Sequence, residues 1–182
     1  MDLAFGRCRD INGPLMEAAL ALYRSSFPAH ELRLPPYQRD VMSDPLYHFD
    51  MCLLDGALAG LILYWDFGTY IYVEHFCVEP SLRGHGLGTL ILAELARQNK
   101  TIILEIDPLV DDASVRRKGF YERCGYVANA FAHVHTPYQA DNLGQEMIVM
   151  SYPHAISQSE FDSFTLNLGE KVMKYSEGKR NA

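Results

Sequence analysis

A glycine-rich stretch near the middle of the chain constrains the possible folds more than any other feature. Residues 83–89 read RGHGLGT and join a strand pattern over 70–78 to a helix pattern over 87–98. Glycine allows the backbone to bend sharply and to approach a ligand closely. The first amides of a helix lack intrahelical acceptors, and the helix dipole adds positive character at the same end. The stretch therefore predicts a strand–loop–helix unit that can bind phosphate oxygens.

The spacing of this loop departs from two other glycine-rich motifs. A dinucleotide-binding G-x-G-x-x-G that starts at Gly84 needs glycine at the position of Thr89, and a Walker P-loop needs a lysine that the loop lacks. The loop also follows the fourth or fifth predicted strand, whereas a Rossmann fold places it after the first. The loop instead contains the spacing Arg83-x-x-Gly86-x-Gly88. A nucleotide-binding enzyme that uses this loop is kept as an alternative.

Hydrophobic periodicity predicts a single mixed α/β domain. Apolar residues recur at helical spacing in some segments and form β-branched or aromatic runs in others. The predicted strands cover residues 3–9, 47–54, 57–65, 70–78, 101–106, 126–135 and 146–152. The predicted helices cover residues 15–26, 37–42, 87–98 and 114–124, followed by a C-terminal helix with an apolar stripe of Phe161, Phe164, Leu168 and Val172. Pro14 suits the first turn of the first helix, and Asp55-Gly56 is a hairpin-turn signal.

Composition and charge narrow the class of protein. The chain has 182 residues, 48% hydrophobic and 21% charged, so it can bury a full core without disulfides or metals. Its net charge of −7 disfavours a nucleic-acid binder, because an acidic surface repels phosphate. The longest apolar runs, such as residues 58–65, are too short to cross a bilayer, and the first residues lack a signal-peptide pattern. These features predict a cytoplasmic protein that binds neither nucleic acid nor membrane.

Cysteines and histidines give no strong indication of a metal site. Cys8, Cys52, Cys77 and Cys124 are widely spaced without a C-x-x-C pair, which is typical of reduced thiols in a cytosolic protein. His133 and His135 would share one side of a strand, a spacing that can seat a metal, yet no carboxylate or cysteine completes a set at an evident spacing. We therefore predict no metal.

Two motifs resemble those of the GNAT superfamily of N-acetyltransferases. Arg83-x-x-Gly86-x-Gly88, which follows Val78, resembles the family's motif A. Downstream, residues 119–126, GFYERCGY, resemble its motif B. The predicted order of strands and helices is also similar to that of the family as far as Tyr152.

The resemblance implies the GNAT acyl-CoA N-acyltransferase fold, a mixed central sheet flanked by helices. It assigns this domain to residues 1–153 and leaves residues 154–182 as an extra C-terminal helical extension. Ser114 and Arg117 depart from the family pattern, because many members carry Asn and Ala at these positions. The coenzyme contacts from that helix are therefore the less determined part of the resemblance.

The resemblance further implies that acetyl-CoA is the co-substrate. Backbone amides of the loop would bind its pyrophosphate, and the end of the preceding strand would pair with the pantetheine arm like an added strand. The residues implied to bind it are Phe76, Cys77, Val78, Arg83, Gly84, His85, Gly86, Leu87, Gly88, Thr89 and Ser114. The Val78 amide would also polarise the thioester carbonyl. The alternative is a tight turn that only caps a helix.

Tyr121 matches the motif B tyrosine that lies near the coenzyme sulfur in the family. A thiolate whose conjugate acid has a pKa of about 8.5 leaves more readily beside a proton donor. The resemblance therefore implies that Tyr121 is catalytic. The alternative is a helix tyrosine that packs at the edge of the core.

Glu74 is the predicted general base. In an alternating strand, Tyr72, Glu74, Phe76 and Val78 share one face, and a carboxylate in so apolar a strand should be paired or functional. An amine with a pKa of about 10.4 must lose a proton before it attacks, and a carboxylate can accept that proton through water. A structural ion pair is the alternative for Glu74, and Glu105 and His75 are weaker candidates for the base.

The predicted reaction is transfer of an acetyl group from acetyl-CoA to a primary amine of a small molecule or peptide, by direct attack in a ternary complex. Residues 27–37 and 136–144 would wall the acceptor, and their rings and carboxylates suit an ammonium group; the relevant side chains are His30, Glu31, Tyr37, Tyr138 and Asp141. A non-catalytic acyl-CoA-binding regulatory module is a second alternative. The C-terminal helix would pack on the sheet or form a homodimer contact through Phe161, Phe164 and Leu168.

Overall fold

A seven-stranded mixed sheet forms the centre of the computed structural model, which describes residues 2–13 and 15–177. The strands are β1 (Leu3–Cys8), β2 (Tyr47–Leu54), β3 (Ala57–Asp66), β4 (Tyr70–Val78), β5 (Thr101–Ile106), β6 (Val127–Ala128) and β9 (Ile148–Tyr152). They lie in the order β1-β2-β3-β4-β5-β9-β6, and only β4 and β5 are parallel. A separate hairpin consists of β7 (Val134–His135) and β8 (Gln145–Glu146).

Within the described part of the chain, five α-helices cover the two faces of the sheet: α1 (Met16–Ser26), α2 (Pro35–Val41), α3 (Leu87–Ala96), α4 (Asp112–Arg123) and α5 (Gln158–Asn167). One core packs α1, α2 and α5 against sheet residues such as Phe49, Leu63 and Trp65. The second core packs α3 and α4 against residues such as Ile71 and Ile102. Helices on both faces of a mixed sheet are the predicted architecture, which the structure confirms.

Local sequence signals account for several element ends. Asp55 and Gly56 both have positive φ angles, 49° and 84°, as the two-residue hairpin turn between β2 and β3 requires. A capping box of Asp111 and Ser114 begins α4, and Gly125, with φ of 87°, follows its end. No helix among the described residues is long and apolar enough to span a membrane. Pro14 and residues 178–182 lie outside the described residues.

The C-terminal extension packs against the sheet. Helix α5 continues into a π-helical turn (Leu168–Val172) and a 3-10 turn (Met173–Tyr175). The side chains of the predicted apolar stripe are 9%, 1%, 5% and 0% exposed at Phe161, Phe164, Leu168 and Val172. Of the two predicted alternatives, packing on the sheet is confirmed, and these buried side chains are not available for a dimer contact.

The strand predicted over residues 126–135 is also wrong in part. Its two ends form β6 and β7, which pair with different partners, β9 and β8. Asn129 explains the break, because its side-chain amide donates to Val149 O and Ser151 Oγ while its Oδ1 accepts from the Ile156 amide. These bonds take the chain out of the sheet directly after β6.

Candidate active site

A cleft of about 1020 Å³ opens where β4 and β5 separate. Their parallel pairing begins at Tyr70 and Thr101 and stops at Val73 and Leu104, although both strands continue. Beyond Val73, the edge of β4 that faces β5 has no paired strand among the described residues. The cleft is walled by the end of β4, the glycine-rich loop, α4, the segment after α1, and the β7–β8 connection.

The glycine-rich loop forms one end of the cleft. Gly84 and Gly86 have φ angles of 81° and 80°, which glycine adopts without the strain that other residues incur. Gly86 is the N-cap of α3 and provides no side-chain cap, so the first amides of the helix stay available to a ligand. The Arg83 Nε donates to the carbonyl of Val78 at 2.9 Å and ties the loop to the end of β4. This arrangement can hold an anion.

The structure brings most of the predicted coenzyme-binding residues together. Those that line the cleft are Phe76, Cys77, Val78, Arg83, Gly84, Gly86, Leu87, Gly88 and Thr89. His85 is exposed and lies outside the lining. Ser114 is also outside it, because its Oγ bonds to the Asp111 backbone as part of the α4 capping box. Ser114 thus caps α4, and its coenzyme contact stays a prediction.

Helix α4 presents other residues to the cleft. Arg116, Phe120 and Arg123 line it, and the Phe120 ring lies over Gly88, where an added Cβ atom would be 3.1 Å from its Cζ. With Arg83, the two arginines place three guanidinium groups at the cleft without an ion-pair partner among the described residues. Sequence reasoning missed Arg116 and Arg123. They become candidate site residues because α4 faces the glycine-rich loop.

Tyr121 faces the core beneath α4. Its ring contacts Tyr126 in a T-shaped arrangement with centroids 5.6 Å apart, and the residue is 8% exposed. Burial raises the pKa of its phenol to about 12. Tyr121 is not among the residues that line the cleft, whereas its neighbour Phe120 is. This placement favours the alternative of a packed core tyrosine, and the catalytic role of Tyr121 stays a prediction.

A β-bulge changes the predicted alternation of β4. In the pairing with β3, Leu63 lies opposite His75 and Tyr64 opposite Val73, so Glu74 is an extra residue. As a result Phe76 and Val78 pack with the α3–α4 core, while Tyr72 packs with the opposite core. The prediction that Tyr72, Glu74, Phe76 and Val78 share one face is therefore wrong beyond Glu74. No residue type in β4 predicts the bulge.

Glu74 forms a buried ion pair with Arg33. The Glu74 Oε1 and Arg33 Nη1 are 2.6 Å apart, and both side chains are 0% exposed. The carboxylate also accepts from Trp65 Nε1 at 3.0 Å and from the Tyr138 hydroxyl at 2.6 Å. Burial would raise the pKa of Glu74, but the Arg33 guanidinium and the hydrogen bonds lower it to about 2. The geometry favours the structural ion pair over the general base.

Arg33 connects three parts of the protein through this pair. Besides Glu74 in β4, it donates to the carbonyls of Val172 and Tyr175 in the C-terminal extension. Its guanidinium carbon lies 5.2 Å from the centroid of the Tyr138 ring, which belongs to the β7–β8 connection. Sequence reasoning missed Arg33, because the only local signal is a single arginine between leucines.

A second buried carboxylate lies at the mouth of the cleft. Glu105, one residue beyond the last β4–β5 pair, accepts from the Tyr72 hydroxyl and from His133 Nε2. The His135 Nε2 is 3.8 Å from Glu105 Oε2. Burial would raise the pKa of Glu105, but His135, His133 and the Tyr72 hydrogen bond together lower it. Folding thus gathers two histidines and a carboxylate that lie far apart in the sequence, although no three His, Cys, Asp or Glu of the described residues form a metal-holding group.

His75, a weaker candidate for the base, positions one wall of the cleft. Its Nε2 is 2.9 Å from the carbonyl oxygen of Glu31, and its ring packs edge-on against Tyr23 and Phe27. A carbonyl oxygen can only accept, so Nε2 carries the hydrogen. Burial lowers the pKa of His75 to about 4, which keeps the ring neutral.

Two further carboxylates, Glu31 and Asp107, line the cleft. Glu31 lines it from the segment after α1, and burial together with Asp107 raises the pKa of Glu31. Asp107 also lines the cleft, paired with Arg117 and accepting from Gln145 Nε2 at 3.1 Å. Of the predicted wall residues, His30, Glu31 and Tyr138 line the cleft, whereas Tyr37 and Asp141 do not.

Comparison with known proteins agrees with this geometry. The family described as "Acetyltransferase (GNAT) family" matches residues 15–126, more than half of the 182-residue chain. A curated protein of Bacillus subtilis (strain 168), "Putative acetyltransferase YjbC", is 28% identical over 101 residues, which are 53% of this chain and 50% of that protein. The match thus spans about half the length of this relative.

Solved structures share the fold. A protein titled "Putative acetyltransferase from GNAT family from Bacteroides thetaiotaomicron" has a TM-score of 0.87 at 26% identity, covering 93% of this chain and 98% of that one. An aminoglycoside 6'-N-acetyltransferase, solved in complex with coenzyme A, has a TM-score of 0.59 at 20% identity, covering 81% of this chain and 95% of its own. The second likeness concerns the fold alone.

Proposed function

Because this chain belongs to the GNAT family of acetyltransferases, we propose that it transfers the acetyl group of acetyl-CoA to a primary amine of a small molecule or peptide. The observation that carries the proposal is the uncapped N-terminus of α3, preceded by two left-handed glycines, at the end of a cleft between separated parallel strands. We propose that the amine attacks the thioester directly in a ternary complex within this cleft of about 1020 Å³. Proximity of two bound reactants supplies much of the rate in such a reaction.

Acetyl-CoA fits the groups that the cleft offers. The amides of the loop and of the first turn of α3 would bind the pyrophosphate. The unpaired edge of β4 at Phe76–Val78 would hydrogen-bond the pantetheine arm, with the Val78 amide near the thioester carbonyl. Arg83, Arg116 and Arg123 provide positive charge for the phosphates in a protein whose net charge is −7.

The acceptor would enter from the opposite end, between the segment after α1 and the β7–β8 connection. Glu31 provides a carboxylate there, Asp107 provides a second one that is paired with Arg117, and Tyr138 adds an aromatic ring. Carboxylates and aromatic faces favour an ammonium-bearing molecule. We therefore propose that the acceptor amine is cationic before it reacts. A cytoplasmic location and a homodimer stay predictions.

Release of free thiol from acetyl-CoA in the presence of a panel of amines tests the proposal. Thiol release above the amine-free rate, with cationic amines as the better substrates, is the expected result. In parallel, acetyl-CoA and CoA should raise the melting temperature, whereas NAD and ATP should not.

The alternatives predict different outcomes of the same measurements. Stabilisation by acetyl-CoA without thiol release for any amine would favour the non-catalytic acyl-CoA-binding module. Stabilisation by NAD or ATP alone would favour the nucleotide-binding enzyme and would overturn the proposal.

A further inference from the structure

We propose that His135 is the general base that takes a proton from the acceptor ammonium, and that Glu105 stabilises the resulting imidazolium. The inference rests on the proposed acetyl transfer and names a base for it. It assigns to His135 the role that the sequence predicted for Glu74.

A hydrogen bond to the backbone of the next residue determines the tautomer of His135. Its Nδ1 lies 2.6 Å from the carbonyl oxygen of Thr136. A carbonyl oxygen only accepts, so Nδ1 carries the hydrogen, and in the neutral ring the lone pair is on Nε2. The backbone thus leaves the basic nitrogen available.

The position of His135 suits proton transfer in the cleft. The residue lines the cleft, its side chain is 11% exposed, and its ring packs beside Tyr138 with centroids 5.2 Å apart. The distance of 3.8 Å from Nε2 to Glu105 Oε2 is too long for a hydrogen bond, so Nε2 keeps its lone pair. It is short enough for the carboxylate to stabilise a positive ring.

The other buried groups near His135 are less suited to accept a proton. The Glu74 carboxylate is paired with Arg33 and accepts from Trp65 and Tyr138, and Glu105 accepts from Tyr72 and His133. His75 donates its Nε2 hydrogen to Glu31, and its Nδ1 lone pair is fully buried without a hydrogen-bond partner among the described residues. His133 is not among the residues that line the cleft. His135 combines an uncommitted Nε2 lone pair with a place in the cleft lining and a side chain that is 11% exposed.

The proton transfers balance as follows. The acceptor ammonium gives one proton to His135 Nε2 and becomes a neutral amine. Its nitrogen lone pair forms the bond to the acetyl carbonyl carbon, and the carbon–sulfur bond breaks with its electrons on sulfur. The nitrogen then loses its second proton and the CoA thiolate gains one, so the products are the amide and free CoA. The imidazolium returns its proton to solvent, which accounts for the net release of one proton.

Two substitutions separate the base from the local hydrogen bond. His135→Asn keeps an amide donor near the position of Nδ1 and removes Nε2, whereas His135→Gln removes the ring in a longer side chain. His154→Gln is the matched control, because His154 Nδ1 also lies near the carbonyl of the next residue, at 3.1 Å, and His154 is outside the cleft. The readouts are kcat with the best amine of the panel, its pH dependence, and the melting-temperature rise with acetyl-CoA.

We expect both His135 variants to lose about 100-fold or more in kcat, the lower range for a general base, with an unchanged acetyl-CoA effect on the melting temperature. Wild type should lose kcat/KM on the acidic side, as expected when a general base is required, and the variants should lack that limb. Glu105, His75, Glu31 and Tyr138 face His135 and all influence where the limb lies. The His154→Gln variant should behave like wild type.

Two results would overturn the assignment: a kcat within threefold of wild type in His135→Asn, or an acidic limb that persists in both variants. Failure of the proposed function itself looks different, because wild type would then release no thiol with any amine. If one variant does not fold, the other together with restoration of its rate by free imidazole decides the question.

Discussion

Replacement of Glu74 by glutamine tests whether the buried ion pair with Arg33 holds the protein together. Glutamine keeps an oxygen that can accept from Trp65 or Tyr138, but it leaves the Arg33 guanidinium unpaired at a site where both side chains are 0% exposed. Removal of one partner of a buried pair typically costs about 3–5 kcal/mol. The pKa of Glu74 leads to a similar value, since lowering it from 4.5 to about 2 corresponds to roughly 3 kcal/mol.

The same pair predicts a pH dependence of stability. Because the pKa of Glu74 is lower in the folded state than in the unfolded state, the stabilisation is complete above about pH 4.5 and is lost as the pH falls towards 2. Urea unfolding at pH 7 should therefore show a loss of about 3–5 kcal/mol for Glu74→Gln. The acid-dependent loss between pH 4.5 and 2 should be smaller in the variant than in wild type.

Two controls make the result specific. Glu94→Gln breaks an exposed ion pair with Arg97, whose side chain is 77% exposed, and should change stability by less than about 1 kcal/mol. The double variant Arg33→Met with Glu74→Gln should recover part of the loss, because no unpaired charge is then buried. A loss of less than about 1 kcal/mol in the free energy of unfolding for Glu74→Gln would refute the interpretation of Glu74 as part of a structural ion pair. A large fall in kcat at unchanged stability would instead restore Glu74 as the general base.

Three further predictions concern the coenzyme site. Gly86→Ala should lower the free energy of unfolding by about 1–2 kcal/mol, because alanine is strained at φ of 80°. Urea unfolding measures this loss, and the KM for acetyl-CoA measures the effect on the loop. Arg116→Gln and Arg123→Gln should each raise the KM for acetyl-CoA severalfold, and the increase should be larger at low salt than at high salt. The exposed control Arg97→Gln should leave this KM unchanged. An increase in KM that is equal at both salt concentrations would argue against phosphate contacts. Tyr121→Phe should keep kcat within about threefold, because the phenol lies in the core, and a tenfold loss with unchanged coenzyme binding would identify it as the proton donor.

The regular elements follow from local patterns. The predicted strands over residues 47–54, 70–78 and 101–106 coincide with β2, β4 and β5, because each is an apolar run bounded by turn or breaker residues. The glycine-rich loop was also predictable from the sequence. The left-handed φ angles at Gly84 and Gly86 and the uncapped helix start depend only on the local chain. These features were enough for the fold class and for one end of the cleft.

The part of the cleft around Glu74 was less accessible to sequence reasoning. Glu74 and Arg33 are 41 positions apart, so nothing local indicates that the carboxylate is already neutralised by a partner. The break in the strand predicted over 126–135 had the same cause, because the partners of Asn129 lie in β9 and beyond. Contacts between distant segments decided both outcomes.

The sequence alone thus determined most of the elements, their order and the glycine-rich loop, since these depend on interactions between near neighbours. Only the tertiary structure decided which side chains meet in the rest of the cleft. There the bulge at Glu74 changes the faces of β4, and the β7–β8 hairpin brings His135 to within 3.8 Å of Glu105. Both depend on pairing between segments far apart in the chain, whereas the tautomer of His135 depends on the carbonyl of the adjacent Thr136.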